Sequence, residues 1–466
     1  MQIHAVQAVY SPSPGDLRCE YPVNLRPSLD DLGVGMGSFR ATPGLTATAT
    51  GPGVTRGAIV WSDTLYRVMG SKLCSFDSLG AVTVLGDVGD DGLPARLTYG
   101  FDRIAVVSAG DMYYWDGALL TQVTDSDLGT PIDVQWADGY YLTTDGEYLV
   151  VTELADPMVI DPLKYGSVEA DPDPVQCLLR LRTEVIAVGR YSVEFFSNTG
   201  GTGFPFSRIS GAQLTRGAVG RQCACLFAER VVLLGGGRGE VPAIWWGING
   251  TTDKLSTPAI EGVLAQYSDS ALASAALETV IDDGHQLLLV HLSDQTLAYD
   301  LEVSAAAGKP IWHRLSSASV GTGRYNARDF ARAYGRWWAG DPRGGHGYLD
   351  PSVSTHWGVA VLSRIDVPVR HGMGRGVMVS AAESIAIYGD LAAGTLISMS
   401  HSLDGSTWTY PSTAAAMSVP GTRCIARWVR RTPEIKRVIR FDGALPAGAV
   451  IDYVDWIAPV LQAQAG

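Results

Sequence analysis

The sequence predicts an all-β protein: a β-propeller of about seven four-stranded blades over residues 51–351, then a C-terminal β-sandwich-like domain over 352–466. Three observations carry this. A block of four short strands joined by tight turns recurs along the chain, and four strands per unit at a period of roughly 40–50 residues mark a propeller. The 54 glycines and 24 prolines are scattered as turn punctuation and are not gathered into linkers. Long amphipathic helices are nearly absent; one short candidate is 257–267, where Ile260, Val263, Leu264 and Tyr267 share a helical face.

The first 50 residues read as an extended arm. The arm can close the ring by lending a strand to the last block, which lacks a recognisable fourth strand; closure of that kind removes open sheet edges. The first block, 57–85, holds GAIVW, TLYRVMG, KLCSF and AVTVL. The second, 95–123, holds RLTYG, RIAVVS, MYYW and ALLTQV, with Asp116-Gly117 as a hairpin turn. Blocks at 132–160, 175–209 and 219–255 follow the same pattern more loosely. The clearest copy is 273–315: ALETV, a turn at Asp282-Asp283-Gly284, HQLLLVHL, a turn at 293–295, TLAYDL, a Gly/Lys/Pro loop and IWHRL. The seventh block is 329–349. Second strands fall near residues 64, 103, 139, 184, 230, 285 and 336.

Charge divides the chain. Residues 352–466 carry 10 basic and 8 acidic side chains, and the first 351 carry 25 and 40, so the body is acidic. An acidic body argues against a dedicated nucleic-acid binder, which needs phosphate-neutralising charge. The six cysteines include no CxxC pair, which argues against a zinc site and for reduced core thiols. The N-terminus has neither a basic n-region nor a continuous apolar stretch, so no signal peptide is expected, and no 18-residue apolar run predicts a membrane span.

Catalytic signatures are thin. No G-x-S-x-G elbow, Walker A loop or HExxH occurs. The glycine run at 235–239 follows VVLL with no helix behind it, so it reads as an inter-strand loop and not a phosphate cradle. His285 and His291 share a strand face but lie ~20 Å apart at strand rise, too far to share a metal. SLDGSTW (402–408) is one residue short of the Asp-box of sialidase propellers, and even a true Asp-box is a hairpin device. No catalytic, cofactor or metal residue is therefore assigned. The densest charge feature is Arg423, Arg427, Arg430, Arg431, Lys436, Arg437 and Arg440, set against the single Glu434 and interleaved with apolar residues. This reads as two strands around Thr432-Pro433, apolar inward and basic outward: a solvated strand pair or a contact surface for an acidic subunit or partner.

Ordered local phrases give the chain a family resemblance. YPVN (21–24), SFRATPGL (38–45), TRG (55–57), LYRVMGSKL (65–73), VEFFSNTG (193–200), RGAVG (216–220), TPAIEGVL (257–264), HQLLLVHL with LAYD, PIWHRL (310–315), DGSTW and RTPEIKRVIRF occur in the order found in packaged-DNA-stabilising tail proteins of short-tailed phages, the tail nozzle or hub of the Salmonella transducing podophage type. The chain resembles that family over more than 400 residues. DPRGGHG near 341–347 and the C-terminal tail depart from its pattern.

The resemblance implies a structural virion protein without catalysis, a homohexameric ring below the head-to-tail adaptor. It also implies contacts with a tail needle or plug and with tailspikes or fibres, and passage of double-stranded DNA without sequence-specific binding. Its expected places are the virion tail and, during assembly, the host cytoplasm. The rival readings are a propeller-type glycan hydrolase and a glycan-binding tail protein.

Overall fold

The computed structural model describes residues 2–3, 20–28, 37–154, 156–168, 172–201, 203–369, 383–402, 404–419, 424–430 and 437–457. Seven antiparallel sheets of the propeller follow one another in chain order. Their first strands are Thr55–Trp61, Arg96–Tyr99, Asp133–Ala137, Val175–Leu181, Ala224–Phe227, Ala276–Asp282 and Arg328–Ala333. Each first strand lies beside the next, and the seventh lies beside the first, so the ring closes. The second strands begin at Thr64, Ile104, Tyr140, Glu184, Arg230, His285 and Arg336, within a residue of the positions read from the sequence.

Tight turns explain why these segments pair locally. Ser62-Asp63, Asp138-Gly139, Asp283-Gly284 and Tyr334-Gly335 join first to second strands with both turn residues at positive φ, the twist that matches antiparallel strands. Asp116 and Gly117 instead open a four-residue loop between Asp111–Trp115 and Leu120–Gln122. The Asp116 carboxylate accepts the Ala118 and Leu119 N–H groups there.

The fourth strand of blade 7 is Gly44–Thr50, paired antiparallel with Gly345–Asp350. Gly347 is required at this seam: a Cβ there would lie 2.0 Å from the Thr46 carbonyl oxygen. Leu65, Met69, Phe76 and Trp338, all buried, fill the joint between blades 1 and 7. The largest apolar cluster runs through blades 4, 5 and 6. It includes Ile260 and Leu264 of helix α1 (Pro258–Leu264) and Leu272 of α2 (Asp269–Ala273). The connection expected to be a Gly/Lys/Pro loop in blade 6 contains a helix, α3 (Leu301–Ala307). Asp300 caps its start and Gly308, left-handed at φ 64°, ends it.

The C-terminal unit is a two-sheet sandwich that borrows from the N-terminus. One sheet has the order Leu25–Ser28, Ser38–Ala41, Val450–Ile457, Glu383–Asp390, Cys424–Arg430. The other runs Ser363–Val369, Arg437–Gly443, Leu396–Ser402, Ser412–Ala415. Leu25 and Phe39 sit in one core with Ile365, Val367, Ile387, Met399 and Phe441. Gln2–Ile3 pairs with Val450–Ile457 as well, so among the described residues the first 50 are divided between two tasks, three strands in the sandwich and one in the propeller.

Candidate functional site

The basic strand pair is the first candidate, and the structure splits it. Arg427 lies exposed on Cys424–Arg430, the edge strand of its sheet. Arg430 and Arg437 belong to the two strands by backbone. Arg423, Arg431 and Lys436 lie outside the described residues. Arg440 corrects the expectation of an outward basic face: it is 7% exposed. Val438, Ile439, Arg440 and Phe441 are all buried, so both faces of this strand are covered and the in-out alternation of a half-buried strand does not apply.

Arg440 belongs to a polar junction between the sandwich and blade 6. Its guanidinium makes two 2.7 Å bonds to Asp366, lies 3.4 Å from Glu20, and stacks 3.7 Å from the Trp408 ring centroid. Burial pushes the Asp366 carboxyl up from its ordinary value, while its bonds to Arg440 pull it back. Glu20 also approaches Arg364 at 3.5 Å and Arg314 at 3.9 Å, and Arg364 grips Asp442. The hairpin carrying Trp408 is held by Asp404, which accepts the Ser406 and Thr407 N–H groups; those bonds hold its carboxyl far below the usual range. This is the turn device expected of SLDGSTW.

The backbone of residues 22–24 runs through the same junction. Val23 N–H donates to Arg364 O, and Arg364 N–H returns a bond to Val23 O. Asn24 N–H donates to Arg314 O, and Arg314 N–H to Pro22 O. Asn24 is buried and left-handed at φ 53°. Its amide donates to Ser316 O and Leu362 O, both at 2.8 Å, and its oxygen accepts Ser316 N–H. The YPVN phrase is therefore a clamp between propeller and sandwich. Asn24→Ala should cost about 3–5 kcal/mol, from buried groups left unpaired plus a strained backbone. Urea denaturation checks this, with Asn24→Gly separating lost bonds from backbone strain.

The second candidate is the propeller channel, a cavity of about 410 Å³ lined by the first strands of all seven blades. Its charged groups are taken up in joining blades. Asp133 accepts its own blade's Val134 N–H and Leu178 N–H of blade 4, with Arg96 3.5 Å away. Glu278 accepts Asp329 and Phe330 N–H of blade 7. Thr55 of blade 1 donates to Asp329 and accepts from Arg67. Burial, then the charge of Asp329, pushes the Glu278 carboxyl up to about 7. Among the described residues the inner strands pair with no strand on their channel side, and these side chains satisfy backbone groups that would otherwise be unpaired.

A third group was not legible from spacing. His285, Asp300 and Glu302 place ligand-type atoms within 4.8 Å of one another, a set that could hold a metal ion. Their hydrogen bonds account for them structurally. His285 Nδ1 pairs with Asp300 Oδ2 at 2.8 Å, Asp300 Oδ1 caps α3, and Glu302 accepts Gln286 N–H. The glycine run at 235–239 ends a strand at Gly236 and continues as a loop to Ala243, as expected. The five described cysteines are free thiols. Among the described residues no helix is long and apolar enough to cross a membrane.

Residues 1–354 match the model of the phage-stabilisation family described as bacteriophage P22 Gp10, beta-propeller. The tail hub protein gp10 of Salmonella phage P22 is 26% identical over 317 residues, covering 62% of this chain and 64% of that protein. The chain therefore matches less than two thirds of that relative's length. Among solved structures, the N-terminal domain of Nup159 aligns with a TM-score of 0.42 at 7% identity, over 71% of this chain and 99% of that one. An exo-β-1,3-galactanase from Phanerochaete chrysosporium aligns with a TM-score of 0.28 at 9% identity, over 88% of this chain and 99% of that one.

Proposed function

The chain belongs to the phage-stabilisation family typified by P22 Gp10, and from that premise we propose that it is a structural tail hub. Six copies form a ring below the head-to-tail adaptor and continue the DNA channel. The ring retains packaged DNA, carries a needle or plug distally, and offers its sides to spikes or fibres. It is built in the host cytoplasm and works in the virion tail. The family match over residues 1–354 is the observation that carries this reading. The structure is compatible with a mechanical part: the YPVN clamp joins propeller to sandwich, and the charged channel residues bind blade to blade. At net −13 the chain has none of the positive excess that a phosphate-binding protein needs. Electron microscopy of assembled particles tests the reading directly.

The rival is a propeller hydrolase using the channel carboxylates, and the raised Glu278 carboxyl is the observation in its favour. A glycosidase acid must reach a leaving-group oxygen, whereas both Glu278 oxygens hold backbone N–H groups. The expected outcome is no reducing-sugar release from host polysaccharide by the wild type. Release that Glu278→Gln abolishes would establish the enzyme instead.

A further inference from the structure

The acid excess of this chain has one address. Residues 104–179 carry 14 Asp and Glu against the single Lys164, a net of −13. The rest of the chain holds 34 acidic and 34 basic residues and is neutral. This stretch completes blade 2 and makes all of blade 3, Asp133 to Ser167.

Blade 3 also has an unusual rim. Its outer strand, Ile160–Ser167, is eight residues long and, among the described residues, pairs with no strand on its outer side. Leu163 is 81% and Tyr165 54% exposed. Tyr148 meets Tyr165 edge-on at 5.3 Å, and Glu147 beside it is exposed. The rims of blades 6 and 7 differ: Val23 bridges to the outer strand of one, and Thr355–His356 lies beside the closing strand of the other. Pro162, Lys164 and a register shift at Val150/Thr152 interrupt the blade 3 edge, features that discourage strand addition. A partner would therefore meet its side chains and not extend its sheet. Lys164 is already paired with Glu153 at 2.6 Å, and exposed tyrosine and leucine beside the exposed Glu147 suit a partner that is apolar and basic.

The same chain presents such a surface. Strand Cys424–Arg430 ends its sheet and is bridged on its outer side at Ile425 alone, by Met417, among the described residues; it contains two arginines and no acid, and exposes Arg427 and Val429, the latter by 67%. We propose that the blade 3 rim is an interface for a second copy of this chain, seated there by its Cys424–Arg430 edge. Two different patches on one chain make a head-to-tail contact, which closes into a ring when the rotation allows. The proposal rests on the ring-forming reading above and names the surfaces that reading leaves open.

The test uses particles assembled with variant chains. Glu147→Arg with Leu163→Arg should reduce the copies per tail at least tenfold. Glu147→Arg alone should weaken assembly, and adding Arg427→Glu should restore it to within about twofold. Unchanged melting of each purified variant shows that folding is intact. Independently, Leu163→Cys with Val429→Cys should cross-link one copy to the next in assembled tails. Full occupancy by the double rim variant, no rescue by the charge swap, or cross-links to a different protein would overturn the proposal. Rim variants that assemble fully but impair DNA ejection would place blade 3 in the channel wall and equally overturn it. If wild-type chain is missing from tails altogether, the hub reading fails instead, so the two failures are distinguishable.

Discussion

Removing residues 1–50 is expected to abolish folding of the whole chain, not merely to trim an end. That segment supplies Val23, Leu25, Phe39 and Leu45, all 0–1% exposed, to three separate places. Val23 sits in the clamp, Leu25 and Phe39 in the sandwich core, and Leu45 in the cluster between blades 6 and 7. Truncating one such side chain typically costs about 2–5 kcal/mol. Four together approach or exceed the roughly 5–15 kcal/mol that holds a native protein folded. Loss of Gly44–Thr50 would also leave Gly345–Asp350 as an open edge, a template for aggregation. Soluble yield and circular dichroism of the truncated chain measure this. Gly347→Val tests the same seam by a point change, since the closing strand has no room for a Cβ. A truncated chain that melts within a few degrees of the intact one would contradict the closure argument.

Acidification from pH 7 to 5 should destabilise the protein before its ordinary carboxylates titrate. His291, His313, His346 and His356 are all 0–3% exposed. Burial pushes His313 and His346 down to about 3 and His356 to about 4, and His291 well below its ordinary value. His346 lies between the Phe76 and Trp338 rings, 3.9 and 4.9 Å away. Unfolded, these imidazoles take up protons near pH 6.5; folded, His313, His346 and His356 do not until about pH 3–4, and His291 only well below its ordinary value. The unfolded chain thus binds more protons below pH 6.5, and stability falls as pH falls. Glu278, raised to about 7, acts with the opposite sign and offsets about one histidine. The three remaining titrations amount to at most about 4 kcal/mol per pH unit, since raised carboxyls such as Asp366 act in the same sense as Glu278. The turn carboxylate of Asp87, held down to about 2, acts in a separate window. Its contribution is present above its unfolded value near 4 and is lost only below it. Thermal melts at pH 7, 6 and 5 should fall progressively, by about 5 °C in total. His346→Leu should flatten the slope. A melting temperature constant across that range would contradict the buried-histidine account.

The blades were legible because each one announces itself locally. Turn residues with positive φ and four short apolar runs appear within about 40 residues, so second strands could be placed almost to the residue. The closing strand was harder to place, because nothing in GLTATAT names a partner 300 residues away. Its need was visible only as the missing fourth strand of block seven. Alternation places Arg440 outward only when one face of its strand meets water, and here both faces are covered. The helix α3 did carry sequence signals, Asp300 at its start and Gly308 at its end, in a segment read for turns alone. The clamp was legible as the phrase YPVN but not as a function, since the bonds of Asn24 join residues 292 and 338 positions away. The channel carboxylates and the His285 group come together from different strands, which spacing cannot reveal.

In the proposed function this chain is a structural ring subunit of a phage tail. Electron microscopy of assembled particles, with the chain located by a tag or by its propeller density, tests it most directly. Six copies are expected in one ring below the adaptor, with each propeller forming one sector of the wall and DNA passing between the chains. A different copy number, a position on the tail appendages, or DNA threaded through a single propeller would contradict it.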